Sequence, residues 1–98
     1  MATLDAAEVG RRVAELDGWT LGNQAISRQF VFRSFPDAIA FVTRLAFDAE
    51  GADHHPDILV SYKRVTLTYS THSEGGLTAK DFEGAKKADA LASGLISR

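Results

Sequence analysis

The segment from Val65 to Thr71 sets the tightest limit on the fold. Val65, Leu67 and Tyr69 alternate with Thr66, Thr68 and Ser70, so an extended chain here has one apolar and one polar face. A strand of that kind belongs to an antiparallel sheet that is covered on one side only. The rest of the chain must supply both the partner strands and the apolar cover.

The partner strands and the cover can both be read from the sequence. Ile58 to Tyr62 reads as the strand that pairs with Val65 to Thr71 through a turn around Lys63-Arg64, and Tyr62 shares a face with Val60, which predicts a place in the core. Upstream, Trp19 to Leu21 runs into Gly22-Asn23, a two-residue turn signal, and Ala25 to Phe32 follows as a strand. On that strand Ile26, Phe30 and Phe32 share one face, with Arg28 as the exception. Three helices provide the cover. Val9, Val13 and Leu16 recur at helical spacing, with Gly18 placed to stop the first helix. Ser34-Phe-Pro-Asp37 opens the second as a capping-box pattern with Pro36 in the first turn, where its missing N–H costs little. Ala38, Phe41, Val42, Leu45 and Ala49 form its apolar face, and it ends before Pro56. Thr78-Ala-Lys-Asp81 opens the third as a second capping box, with Leu77 and Phe82 at the staple positions. The expected fold is α+β: a four-stranded antiparallel sheet with three helices on one face, in the order α-β-β-α-β-β-α. The 98 residues suit one domain, 1–98.

Composition narrows the function classes. There is no cysteine, hence no disulfide framework and no thiolate nucleophile. The eleven Lys and Arg are scattered and the net charge is -2, which is not the basic stripe of a nucleic-acid binder. No apolar run approaches the ~20 residues that span a bilayer, and the N-terminal segment carries early acids in place of a leader's basic-then-apolar order. A cytoplasmic protein without membrane or nucleic-acid partners is expected.

The three histidines are His54, His55 and His72. Two sit at the exit of the second helix and one at the end of the last strand, where continued alternation points it to the polar face. Glu50 stands four residues before His54; if the helix persists past Gly51, carboxylate and imidazole share a face and can meet. A carboxylate partner would fix the tautomer and raise the basicity, which suits proton transfer. On residue chemistry alone, surface histidines with no shared role remain an equal reading. A metal site is the third, but adjacent histidines on an extended segment point apart, and no HxH or HxxxH spacing replaces them.

Glu50-Gly-Ala-Asp-His54-His55-Pro56, then Tyr62, His72 and Asp81, follow the spacing E-x3-H-H-P-x5-Y-x9-H-x8-D. With Gly18-Trp19, Phe30-Val-Phe32 and Ser70-Thr71-His72, this pattern resembles the pterin-4a-carbinolamine dehydratase family over nearly the whole chain. The resemblance implies loss of water from a 4a-hydroxytetrahydropterin, without metal or cofactor, to give the quinonoid dihydropterin recycled for aromatic amino-acid hydroxylases. It implies His54 and His72 as the acid–base pair and His55 as a third site histidine that orients the pterin. Glu50 is implied as a partner in the site, and Trp19 as a wall for the flat ring. For Asp81 the helix-cap reading is favoured, and Pro56 is read as the helix breaker that redirects His55. The resemblance also implies a homodimer or homotetramer, and a second function class: a non-catalytic dimerisation or assembly cofactor on the same fold.

Overall fold

The computed structural model describes residues 3–96. Its elements run α1 (Ala6–Ala14), β1 (Thr20–Gly22), β2 (Ala25–Val31), α2 (Phe35–Ala52), β3 (Asp57–Ser61), β4 (Arg64–Tyr69), a 3-10 turn (His72–Glu74) and α3 (Ala79–Ala92). The four strands form one antiparallel sheet in the order β1-β2-β4-β3. This is the expected α+β architecture. β4, the strand with the strictest alternation, lies inside the sheet, and its Val65, Leu67 and Tyr69 are buried while Thr66 and Thr68 are not.

The apolar face of the sheet meets α2 and α3. Ala38, Phe41, Leu45 and Ala49 come from α2; Phe82, Ala85, Ala88 and Ala92 come from α3. The alanines let α3 lie close to the sheet, and the aromatic rings of Phe30, Phe32 and Phe41 fill the space beside it with centroids 4.9–6.2 Å apart. Arg28, the polar residue on the apolar face of β2, is accommodated in two ways. Its guanidinium lies 4.3 Å from the Phe30 ring centre and bonds to Asp89 of α3 at 2.7 Å.

Both hairpin turns sit one residue away from the expected positions. Gly22 pairs with Ala25, so the first turn is Asn23-Gln24, both in the left-handed region. Ser61 pairs with Arg64, so the second turn is Tyr62-Lys63, with Tyr62 at φ 55. The core sets the register, since a one-residue slip would turn Ile26 or Val65 outward. Local turn preference gives way to it. In consequence Tyr62 is exposed at a turn, not buried in a strand as expected. Gly18 does not close α1, which ends at Ala14 with Glu15 as its cap; Gly18 turns the chain afterwards, at φ 84. No helix of the described residues is long and apolar enough to cross a membrane.

Candidate active site

The site begins where α2 stops. Asp53 takes the left-handed conformation (φ 52, ψ 42), and its N–H bonds back to Ala49 and Glu50 carbonyls. The N–H of His54 also returns to Ala49, at 3.1 Å. This is the usual way a helix satisfies its last carbonyls, with aspartate tolerating the position that glycine normally fills. The reversal separates the two histidines that follow. His54 turns inward, His55 outward, and Pro56 is buried behind them.

His54 does not meet Glu50. Its Nε2 lies 2.6 Å from Oδ1 of Asp81, at the start of α3. Glu50 instead bonds Nε2 of His55 at 2.7 Å. The expected i,i+4 pairing fails because the left-handed Asp53 carries His54 off the helix face. Asp81 is therefore a cap and a histidine partner at once. Its Oδ2 accepts the Thr78 N–H at 2.9 Å, closing the capping box, and the Thr71 hydroxyl at 2.8 Å. Thr71 and Thr78 share a further hydroxyl bond at 2.9 Å. An ionised carboxylate can only accept, so this network assigns the His54 proton to Nε2 and leaves Nδ1 as the free basic nitrogen. Asp81 and Thr78 are wholly buried.

His54 forms part of the wall of a concavity of about 170 Å³, with Asp48, Tyr69, Lys80, Glu83 and Lys87. Its ring stacks on Tyr69, with centroids 5.9 Å apart. Burial pushes the Tyr69 phenol above its ordinary pKa, and the Asp48 and Asp81 carboxylates add to the rise. His72 opens the 3-10 turn and faces a different concavity of about 160 Å³, on the polar side of the sheet with Asp57, Thr68 and Ser70. Its neighbour Thr71 is the residue bonded to Asp81, but the two histidines expected as the acid–base pair open onto separate concavities. His55 and Glu50 lie at the surface.

Trp19 is not placed as a wall for a flat ring. It is 5% exposed and packs edge-on against Phe30, while its Nε1 donates to Asp89 at 3.0 Å. Its role in this chain is in the core. Among the described residues no three His, Asp or Glu side chains converge as a metal-binding group. The sequence reading missed the Asp81–His54 bond and the exposure of Tyr69 to the His54 concavity. For Asp81 a signal existed: a capping aspartate uses one oxygen on the helix and leaves the other for a second donor.

Comparison with known proteins gives a consistent result. Residues 2–91 match the family described as pterin 4 alpha carbinolamine dehydratase. A protein of Roseiflexus castenholzii named for that activity is 49% identical over 90 residues, covering 92% of this chain and 97% of the relative. One of Sulfolobus acidocaldarius, named likewise, is 48% identical over 84 residues, covering 86% and 92%. A crystal structure described as a transcriptional coactivator/pterin dehydratase from Brucella melitensis superposes with a TM-score of 0.89 at 40% identity, over 93% of this chain and 99% of that one. A pterin dehydratase-like protein described as a RuBisCO assembly factor in the alpha-carboxysome superposes at 0.65 with 25% identity, over 76% and 87%.

Proposed function

The chain belongs to the pterin 4 alpha carbinolamine dehydratase family, and on that premise we propose that it removes water from a 4a-hydroxytetrahydropterin. The hydroxyl on C4a leaves with an added proton as water, N5 loses its proton, and the quinonoid dihydropterin remains. One proton is given and one taken, so the reaction needs an acid and a base and consumes nothing else.

The observation that carries this reading is the 2.6 Å bond between His54 and the buried Asp81 carboxylate. A carboxylate behind Nε2 orients the imidazole, holds its free Nδ1 towards the bound molecule and stabilises the imidazolium formed when it takes a proton. His54 is thus assigned as the base at N5. His72, expected as the other member of the acid–base pair, borders the separate concavity, so protonation of the leaving hydroxyl is assigned to solvent at the open side of the His54 concavity. His55 and Glu50 are assigned to holding and orienting the pterin at the rim. A homodimer or homotetramer formed through an open sheet edge fits the exposed Leu59 of β3, and a cytoplasmic enzyme serving an aromatic amino-acid hydroxylase fits the product.

The second reading is a non-catalytic assembly role, favoured by the structural likeness to the RuBisCO assembly factor. A pure binding module has no need of a buried carboxylate aimed at an imidazole that borders a concavity. Stopped-flow ultraviolet absorbance with freshly generated 4a-hydroxytetrahydropterin separates the two. Sub-stoichiometric protein should accelerate the dehydration, and the acceleration should survive chelation. Equal decay with and without protein would move the assignment to the assembly role.

A further inference from the structure

Beneath His54 lies a phenol that the acid–base scheme leaves unused. Tyr69 ends β4 and is 1% exposed; its ring is within 20° of parallel to the imidazole and leans on Trp19 at 6.0 Å. One edge of the ring rests on Gly84 of α3. A Cβ at that glycine would come within 2.5 Å of Cε1 and 2.8 Å of Cζ, so a six-membered ring fits there only because α3 has no side chain at that point.

The glycine accounts for the ring and not for the hydroxyl. Phenylalanine would fill the same space with no polar atom to satisfy, and a buried tyrosine O–H ordinarily finds a partner. This one has no protein partner among the described residues. No described side-chain nitrogen or oxygen is both sealed from solvent and unpaired. The Tyr69 oxygen must therefore reach an open surface, and the one its side chain borders is the concavity it shares with His54. At about 170 Å³ that space admits one edge of a small flat ring, well short of the ~300–1,000 Å³ of a drug-sized site.

We propose that the Tyr69 hydroxyl donates a hydrogen bond to the ring carbonyl of the pterin held against His54, which makes Tyr69 a substrate-contacting residue. The inference rests on the dehydratase reading above. The carbonyl is the acceptor of choice because its carbon is bonded to C4a, the reacting carbon, and the phenol is stacked on the imidazole assigned to the adjoining N5. Burial and the Asp48 and Asp81 carboxylates keep the phenol protonated, the form that donates.

Tyr69→Phe removes the donor and keeps every ring contact, and circular dichroism verifies that the fold is retained. The probe is 7,8-dihydrobiopterin, which keeps the carbonyl and has no 4a-hydroxyl to lose, titrated by calorimetry into wild type and variant. The dissociation constant should rise about three- to tenfold, the range for one neutral hydrogen bond. The Michaelis constant for dehydration should rise in proportion, with turnover held within about twofold. An unchanged dissociation constant in the variant overturns the contact, and so does a loss confined to turnover. If wild type itself neither binds the probe nor speeds dehydration, the dehydratase reading falls and the contact falls with it. The wild-type arm tells the two failures apart.

Discussion

His54 and His55 are neighbours, and each meets a carboxylate through Nε2 at nearly one distance, 2.6 and 2.7 Å. Their surroundings have little in common. The His54 side chain is 12% exposed and that of Asp81 0%, while those of His55 and Glu50 are 56% and 81% exposed. Bond length alone therefore says nothing about what either pair contributes. An exposed pair is screened by water and salt and holds two mobile side chains for little return, typically ~0–1 kcal/mol. The buried pair belongs to a network in which both carboxylate oxygens of Asp81 are engaged, so removing the carboxylate leaves the buried Thr78 N–H without its acceptor. One left-handed residue, Asp53, ends the helix that carries Glu50 and turns His54 away from that face.

The contrast is broken most easily at its carboxylates. Asp81→Ala removes a helix cap and leaves the Thr78 N–H, the Thr71 hydroxyl and His54 without their acceptor. The expected loss is ~2–4 kcal/mol of unfolding free energy, combining a cap with at least one unsatisfied buried donor. Glu50→Ala is expected to stay within ~0.5 kcal/mol. Urea titrations of both variants give the comparison directly, and similar midpoints would show that burial does not distinguish the two pairs.

The inner region can be sharpened next at the glycine under Tyr69. Gly84→Ala improves helix propensity by ~1 kcal/mol but drives a methyl group into a buried ring, and overpacking of this kind costs ~1–3 kcal/mol. The variant should be destabilised overall. In a Tyr69→Leu background, where no ring reaches Gly84, the same change should become neutral or stabilising. A double-mutant cycle by thermal melting measures the coupling, and equal effects in both backgrounds would mean that the ring yields freely.

The smallest effect expected is an alkaline one. The Tyr69 phenol ionises above its ordinary 10.0 in the folded protein, so the unfolded chain releases that proton first. Its contribution to stability is whole below pH 10 and declines as the pH rises above 10 towards the folded value, by ~1 kcal/mol per pH unit. Tyr69→Phe has no such group. Between pH 10 and 11 wild type should lose stability faster than the variant, and parallel melting curves would contradict the burial argument.

The fold was legible because its signals are local. The alternation of Val65, Leu67 and Tyr69, and the caps at Ser34 and Thr78, each act within a few residues. The two turns slipped by one position because their residues are poor guides: Gln24 and Tyr62 take left-handed conformations that their side chains do not favour, under a register imposed by the core. The site was legible in its histidines and not in its pairings. Glu50 was the acid one helical turn before it, but His54 found Asp81, 27 positions along the chain, and no local pattern reaches that far. Trp19 was misplaced for a similar reason, since its acceptor Asp89 lies on the last helix.

The central claim is that, of the two adjacent histidines, the one backed by a buried carboxylate moves the proton. Stopped-flow dehydration of 4a-hydroxytetrahydropterin by His54→Ala and His55→Ala, each corrected for the uncatalysed rate, tests it most directly. His54→Ala should lower turnover by about 10²–10⁴, the span of a positioned acid or base. His55→Ala should raise the Michaelis constant more than it lowers turnover. Equal turnover losses in the two variants, or a His54→Ala enzyme altered only in its Michaelis constant, would contradict the account.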